Sequence, residues 1–470
     1  MKNLIKSLPI LIITSLFIIS CSKNDELEVP DELKVNDFVW KGMNQFYLWQ
    51  PEAPNLVDNR FGSQGDLNSF LSGKSPEGVF NLVRIDQTID RFSYIFSDYN
   101  QLESFLSGTG LNNGVDFGLK FKTGSTTEIF GWVRYIIPNS DASIKNIQRG
   151  RIFYAINGTP LTVSNYRSLL ANNSYTMNFA DFDNGAITPN GQSLFLTKTV
   201  LPENPVLINT VINQGANRIG YLVYNGFYQQ YETQLNNAFA TLKAQNVTHL
   251  ILDLRYNSGG AVVTANRLAS MITGQFSGQI FAREQWNPKM QTYWSQNNPS
   301  QFENRFTSTI SSGAGISSLN LSKVIILTTK STASASELII NGLKPYIQVV
   351  QIGDVTVGKN VGSITLYDSP TFGSSGRSSK HKYAMQPIVF KTVNASGFGD
   401  YQTGLVPTVS QVENLGNLGV LGDLTEPLLQ TALNYIQVNG RLSQQQPAFD
   451  TFISVPDIAP IVNEMYLKLE

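Results

Sequence analysis

A row of small hydroxyl residues at positions 331–336 is the part of the chain best suited to chemistry. It follows the apolar run 324–327 and precedes apolar residues at helical spacing, so the sequence predicts a strand, a tight turn and a helix. At a helix N-terminus, unpaired N–H groups and the helix dipole favour negative charge. Acyl transfer uses such a place because its tetrahedral intermediate carries an oxyanion. The alternative is that Ser334 and Glu337 form only a capping box, with no chemistry attached.

A pair of glycines, Gly259 and Gly260, follows a second predicted strand. Residues 253–260 read Asp-Leu-Arg-Tyr-Asn-Ser-Gly-Gly. Glycines at the end of a strand let the backbone approach a ligand closely and leave its N–H groups accessible. Turns of this kind also occur in many α/β proteins, so the pair alone does not decide a function.

A lysine, Lys359, follows a third apolar run at 348–352 and lies next to Gly358. It comes 25 residues after Ser334. Taken alone, it is interpreted as a solvated loop residue, because lysine is rarely buried unless it is paired.

Together, the three segments resemble the carboxy-terminal processing peptidases, also called tail-specific serine peptidases. The resemblance rests on Asp-Leu-Arg-x-Asn-x-Gly-Gly, on Ser-Ala-Ser-Glu and on the Gly-Lys pair. It implies that Ser334 is the nucleophile and that Lys359 is the base. By the same resemblance, the backbone N–H of Ala335 and that of Gly259 or Gly260 would form the oxyanion hole.

The implied serine–lysine dyad has a simple physical basis. A serine hydroxyl is a weak nucleophile that needs an adjacent base. A lysine is a base only when it is neutral, and burial favours the neutral amine. One departure from the family pattern is Ser363, since members often carry a glutamine four residues after the lysine that helps to orient it. Ser363 and Asn257 are therefore candidate supporting residues whose geometry the sequence leaves open.

Residues 106–200 are predicted to form a β-rich domain that resembles a PDZ domain. Residues 115–121 alternate like a strand that is reached through a glycine. The resemblance implies that a loop of Phe117, Gly118 and Leu119 binds the C-terminal segment of a peptide, which adds to a sheet edge while backbone N–H groups capture its carboxylate. The alternative is a generic β-rich domain.

The first twenty residues are predicted to be a secretory signal, because Lys2 and Lys6 precede a short apolar run. The run ends at Ser20-Cys21, which resembles the bacterial lipobox and implies a lipid on Cys21. An ordinary signal peptide with a chance cysteine is the alternative. Since Cys21 is the only cysteine, the sequence allows no internal disulfide and no cysteine-based zinc site. The expected location is the bacterial cell envelope, lipid-anchored in the outer membrane.

The composition argues against several other classes of function. The formal net charge is −1, with 34 basic and 35 acidic residues and no long basic run, so nothing predicts nucleic-acid binding. The two histidines argue against a histidine-rich metal site. His249 is predicted to be a structural residue of a strand, whereas His381 keeps a Ser-His-Asp arrangement open. We expect no metal and no cofactor.

The predicted architecture is an α/β catalytic domain with an inserted or preceding PDZ-like β-rich domain and a small helical N-terminal region. Strand and helix patterns alternate in the catalytic part, and the family resemblance implies crotonase/ClpP-like repeats there. The predicted segments are a lipoprotein signal peptide (1–20), a tether (21–35), the N-terminal helical region (36–105), the PDZ-like domain (106–200), the catalytic domain (205–440) and a C-terminal extension (441–470).

The resulting hypothesis is a serine endopeptidase of the cell envelope. It would cleave polypeptides near their C-termini with a Ser334–Lys359 dyad, and the PDZ-like domain would help to select protein or peptide substrates. The alternative is a non-catalytic peptide-binding PDZ lipoprotein with a degenerate peptidase domain, which the departure at Ser363 keeps open.

Overall fold

The computed structural model describes residues 28–183, 185–438, 440 and 465–468. The predicted signal peptide, Cys21 and most of the C-terminal extension lie outside the described residues. The predicted tether ends earlier than expected, because residues 31–33 form a 3-10 turn and the first α-helix begins at Lys34. In the described part of the chain, no helix is both long and apolar enough to cross a bilayer.

The N-terminal region is mainly helical. The elements are α1 (Lys34–Phe46), α2 (Gln64–Leu71), α3 (Pro76–Val83), β1 (Tyr94–Phe96) and α4 (Tyr99–Leu106). Helices α2, α3 and α4 begin at side chains that accept otherwise unpaired N–H groups, as when Ser63 accepts from Asp66 and Ser75 from Gly78. β1 interrupts the helices because its backbone pairs with residues 384–386, far along the chain.

Residues 109–202 form a β-rich module whose first and last strands pair with each other. Its elements are β2 (Thr109–Asn112), β3 (Val115–Phe121), β4 (Ile129–Ile136), α5 (Asp141–Ile144), β5 (Ile152–Ile156), β6 (Thr159–Pro160), α6 (Tyr166–Ala171), β7 (Ser174–Asp183), β8 (Ala186–Thr197) and β9 (Thr199–Pro202). The main sheet has the order β3-β4-β5-β7-β8, so β3 is an edge strand. Phe117, Gly118 and Leu119 lie inside β3 rather than in a loop, because all three pair with β4.

The rest of the chain alternates strands and helices, as the sequence predicted. Its elements are β10 (Val206–Gln214), β11 (Asn217–Tyr224), α7 (Glu232–Ala244), β12 (His249–Asp253), β13 (Gly260–Ala261), α8 (Val262–Thr273), β14 (Ile280–Trp286), α9 (Pro288–Asn297), β15 (Glu303–Arg305), β16 (Lys323–Thr328), α10 (Ala335–Leu343), β17 (Gln348–Gly353), β18 (Val361–Ile364), β19 (Leu366–Tyr367), β20 (Ala384–Gln386), β21 (Ile388–Asn394), β22 (Val409–Ser410), α11 (Pro427–Gln437) and β23 (Met465–Leu467).

A six-stranded sheet of order β10-β11-β12-β16-β17-β22 brings the predicted site segments together. β11, β12, β16 and β17 are mutually parallel, so their carboxyl ends share one edge of the sheet. The glycine turn follows β12, the serine turn follows β16 and the lysine segment follows β17. In open α/β sheets this edge is where ligands bind.

A second six-stranded sheet has the order β13-β23-β18-β21-β14-β15. Its unexpected member is β23, since the last thirty residues carry little pattern. β23 lies between β13 and β18 and runs parallel to both. The predicted C-terminal extension thus adds a strand to the catalytic part of the chain.

One apolar core joins the N-terminal helices to the catalytic sheets. Met43, Leu71 and Val79 belong to the same buried cluster as Leu252 and Leu338. The N-terminal region therefore packs on the catalytic part and does not form a core of its own.

Candidate active site

The serine turn holds Ser334 in a strained conformation at the start of α10. Its φ is +64° and its ψ is −116°, which a residue with a Cβ rarely adopts. Ser334 is fully buried. Among the described residues, its Oγ has no hydrogen-bond partner. Such strain and an unused buried hydroxyl are features that cluster at functional sites.

Lys359 lies just before β18 and is also fully buried. Gly358 precedes it with a φ of +87°, and a Cβ there would approach the carbonyl oxygen of Gln402 to 2.2 Å. Only glycine fits this turn. The Nζ of Lys359 lies 4.9 Å from the ring centroid of Phe92, so the N-terminal region contributes an aromatic face to the site.

Glu337 joins the serine turn to the lysine segment. Its carboxylate accepts the N–H groups of Ser334 at 2.7 Å, Gly358 at 2.7 Å and Lys359 at 2.8 Å. It also accepts the hydroxyl of Thr356. Burial raises the pKa of Glu337, and these four hydrogen bonds act in the opposite direction. Glu337 thus binds the N–H of Ser334 at the start of α10, as a capping box requires. It also binds the lysine segment.

The glycine turn is fixed to the serine turn by Asn257. Its Nδ2 donates to the carbonyl of Tyr224 at 2.8 Å. Its own carbonyl accepts the hydroxyl of Ser336 at 3.0 Å and the N–H of Ala333 at 3.2 Å. Asn257 therefore sets the distance between the two turns.

The two glycines have different roles. The N–H of Gly259 donates to Asn257 Oδ1 at 2.9 Å, so it does not point at a substrate. Gly260 has a φ of +136°, and a Cβ there would lie 2.6 Å from the carbonyl oxygen of Phe227. Ala335 is the first residue of α10, where N–H groups have no acceptor within the helix.

A buried ion cluster lies next to the glycine turn, around Arg255. Arg255 donates to Asp253 Oδ2 at 2.7 Å and to Glu426 Oε1 at 2.6 Å, and all three side chains are almost fully buried. Burial alone would lower the pKa of Arg255, but these two acids hold it well above its usual range. Glu413, which accepts from Tyr256 and lies 3.1 Å from Arg255, completes the cluster. Nothing in the sequence pattern marked Glu413 or Glu426.

The β-rich module contacts the catalytic part beside the serine turn. Arg134 of β4 donates to Ser331 Oγ at 3.0 Å, and Arg149 donates to the hydroxyl of Tyr256 at 2.6 Å. A cavity of about 150 Å³ lies at this contact, and Gly118 and Lys120 of β3 line it. Burial lowers the pKa of Lys120 to about 8.

Two residues that the sequence singled out lie away from the hydroxyl of Ser334. Ser363 is buried, and its hydroxyl donates to the carbonyl of Met465 in β23 at 3.2 Å. His381 lies 2.8 Å from Asp368, next to the ring of Phe38. Since the Oγ of Ser334 has no hydrogen-bond partner, His381 does not form a triad with it in this structure.

The same observation applies to the predicted dyad. Ser334 Oγ and Lys359 Nζ are not hydrogen-bonded to each other, although their backbones share the Glu337 carboxylate. Catalytic hydrogen bonds are often long in a resting enzyme and tighten when substrate binds.

The described residues contain no group of three or more His, Cys, Asp or Glu side chains that could hold a metal ion.

Two family models match the chain. The model of peptidase family S41 matches residues 218–372, and the model of the S41 peptidase N-terminal domain matches residues 34–94. Over these two ranges the chain matches peptidase family S41. The first match contains the glycine turn, the serine turn and Lys359, and the second contains Phe92.

Two relatives agree with this match. It is 22% identical over 375 residues to carboxyl-terminal-processing peptidase 2, chloroplastic, of Arabidopsis thaliana, covering 76% of this chain and 66% of that protein. It is 23% identical over 279 residues to the chloroplastic C-terminal processing peptidase of Tetradesmus obliquus, covering 57% and 55%. The match thus spans about two thirds of the length of the first relative and just over half of the length of the second.

A solved structure shows the same fold. The crystal structure of a candidate S41 protease from Bacteroides fragilis superposes with a TM-score of 0.66 at 25% identity. The superposition covers 86% of this chain and 97% of that one. The mixed sheets and the helical N-terminal region therefore follow the S41 fold.

The Glu337 carboxylate should be essential for stability. Glu337→Gln turns an amide NH₂ towards backbone N–H groups that need an acceptor, and each buried donor left unsatisfied costs about 1–3 kcal/mol. We expect the free energy of unfolding to fall by about 3 kcal/mol, measured by urea denaturation. Glu52→Gln, at an exposed position, is the control and should change it by less than about 0.5 kcal/mol. Equal stability of the two variants would contradict the role assigned to Glu337.

Proposed function

We propose that this chain is a serine endopeptidase in which Ser334 is the nucleophile and Lys359 is the base. One observation carries the proposal: a single buried carboxylate, Glu337, holds the backbones of both residues at the carboxyl edge of the parallel sheet. The strain at Ser334 and its unused hydroxyl support the same assignment.

The proposed reaction uses two side chains whose backbones are held by the same carboxylate. Ser334 Oγ attacks a peptide carbonyl carbon while its proton passes to the neutral Nζ of Lys359. The carbonyl oxygen becomes an oxyanion, which the N–H groups of Ala335 and Gly260 stabilise. The C–N bond breaks as Lys359 returns the proton to the leaving amine. Water then hydrolyses the acyl-serine with Lys359 again as the base.

Gly260 is the better candidate for the second oxyanion donor. The Gly259 N–H is already donated to the side chain of Asn257, which keeps it away from a substrate. Gly260 follows directly, in a backbone conformation that glycine alone adopts easily. The sequence had left the choice between the two glycines open.

Preference for C-terminal segments rests on the β-rich module and on the names of the relatives. β3 is an edge strand, so a peptide could add to it, and Phe117 and Leu119 lie in or against the same core as Tyr166 and Leu170 of α6. A groove between an edge strand and a helix is the arrangement by which a PDZ domain binds an extended peptide.

The rival proposal is a peptide-binding protein without catalysis. It is favoured by the absence of a hydrogen bond between Ser334 and Lys359, and by the contact of Ser363 with β23 instead of an orienting glutamine. The two proposals differ in whether the hydroxyl of Ser334 can be acylated.

Replacing either residue of the dyad should stop cleavage. Ser334→Ala and Lys359→Met should each lower the rate of peptide hydrolysis by about 10³-fold or more. Ser334→Ala should leave the unfolding midpoint unchanged, because the hydroxyl that it removes makes no hydrogen bond. The measurement is hydrolysis of a fluorogenic peptide, together with mass-spectrometric detection of an acyl-serine probe on Ser334.

Ser331→Ala is the matched control, since the hydroxyl of Ser331 contacts Arg134 and not Glu337 or Lys359. It should retain labelling at Ser334. Labelling that persists at another serine in Ser334→Ala, or cleavage at the parent rate by either dyad variant, would refute the proposed chemistry.

Recognition of C-termini can be tested without mutating the module. In the Ser334→Ala chain, a peptide with a free C-terminal carboxylate should bind at least tenfold more tightly than the same peptide with a C-terminal amide. The reason is that backbone N–H groups at the end of a PDZ-like groove bind the charged carboxylate. Fluorescence polarisation measures both affinities, and equal binding would count against a PDZ-like site.

The proposed location is the bacterial cell envelope, with a lipid on Cys21 as the anchor. The support is the sequence of residues 1–21 alone. Cys21→Ser should move the protein from the membrane fraction to the soluble fraction after expression in a bacterium, and the parent's N-terminal peptide should carry the mass of an acylated cysteine. A parent found only in the soluble fraction would overturn the anchor.

A further inference from the structure

The strand β23 occupies a gap one strand wide beside the candidate site. On one side lies β13, which begins with Gly260, and on the other lies β18, which begins two residues after Lys359. Neither strand pairs with the other, because β23 separates them. β13 begins at the proposed oxyanion donor and β18 follows the proposed base. These two strands are thus connected only through β23.

The pairing is in register on both sides. Gly260 pairs with Met465 and Ala261 with Tyr466, while Ser363 pairs with Tyr466 and Ile364 pairs with Leu467. The side chains add to the backbone ladder. Ser363 Oγ donates to the carbonyl of Met465 at 3.2 Å, and the hydroxyl of Tyr466 donates to the carbonyl of Leu106 at 3.0 Å.

The candidate site is closed while the gap is occupied. Ser334 and Lys359 are both fully buried, and a polypeptide must reach them to be cleaved. An extended peptide reaches such a site by adding to a strand edge, where main-chain hydrogen bonds hold it. The edge next to Gly260 is already paired with Met465, so a substrate cannot use it while β23 is in place.

The far end of β23 borders open space. A cavity of about 340 Å³ is lined by Tyr466 and Lys468 of this segment and by Leu106, Gln230 and Tyr367 around it. This cavity next to β23 is not lined by the sheet of parallel strands.

We propose that the gap between β13 and β18 is the binding site for an extended polypeptide strand, and that Met465–Leu467 is an intramolecular occupant that a substrate displaces. That the displacing strand is a substrate rests on the proposed peptidase function, whereas the binding of a strand in the gap does not require catalysis. In the closed state the chain inhibits itself. A substrate strand that binds parallel to β13 and β18 opens the site.

The test weakens β23 at one residue. Tyr466→Pro removes the backbone N–H of a residue that is paired on both sides. Lys468→Pro introduces a proline just beyond the strand and is the matched control. We expect Tyr466→Pro to react with an acyl-serine probe at Ser334 at least tenfold faster than the parent, and Lys468→Pro to react at the parent rate. A Tyr466→Pro variant that reacts at the parent rate or more slowly would overturn the proposal.

A binding measurement keeps the test independent of folding and of catalysis. A synthetic peptide with the sequence of residues 461–470 is added to the Ser334→Ala chain with β23 unaltered, and hydrogen exchange is followed. The amides of residues 466 and 467 should lose protection while those of β18 keep it, because one strand replaces another. Protection that stays unchanged at saturating peptide would overturn the proposal.

The two measurements also separate this proposal from the peptidase assignment. If the peptide displaces β23 but no variant labels at Ser334, the gap is a peptide site and the peptidase proposal fails. If all variants label at equal rates and the peptide leaves β23 protected, the peptidase proposal stands and β23 is a permanent strand of the fold.

Discussion

The buried carboxylate of Glu337 is the constraint on which the rest of the site depends. An isolated carboxylate is costly to bury, and this one is stabilised by three backbone N–H groups and a hydroxyl. Because these donors belong to two segments, the energetic need to satisfy one charge fixes both at once. The strained φ of Ser334 persists because Glu337 on one side and Asn257 on the other hold the turn.

Around this centre, the remaining parts of the chain each supply one contact. The N-terminal region places the ring of Phe92 against Lys359, and the β-rich module reaches Ser331 through Arg134. The buried cluster of Arg255 with its acids makes the glycine turn rigid, since breaking such a cluster would leave an uncompensated charge. These contacts hold the site segments in place before a substrate binds, and β23 occupies the strand gap beside them.

How far the sequence could predict the site is clear from particular residues. Ser334, Lys359 and the glycine pair were singled out because their spacing matches a family pattern, and the parallel sheet places their turns at one edge. The proposal of Gly260 over Gly259 could not be made from the sequence, since it depends on one hydrogen bond that the Gly259 N–H donates to the side chain of Asn257. The ion pairs of Glu413 and Glu426 with Arg255 carry no local signal, because each joins residues more than 150 positions apart.

The sequence by itself determined the alternation of strands and helices, the hydroxyl-rich turn at a helix start and the resemblance to a peptidase family. These features depend on local periodicity and short motifs, which are properties of neighbouring residues. Only the tertiary structure decided that Glu337 binds the lysine segment, that Phe117, Gly118 and Leu119 lie inside an edge strand, and that Met465–Leu467 lies beside Gly260. Strand pairing and buried polar contacts join residues that are distant along the chain, and a weakly patterned segment shows its partner only when the sheet is formed.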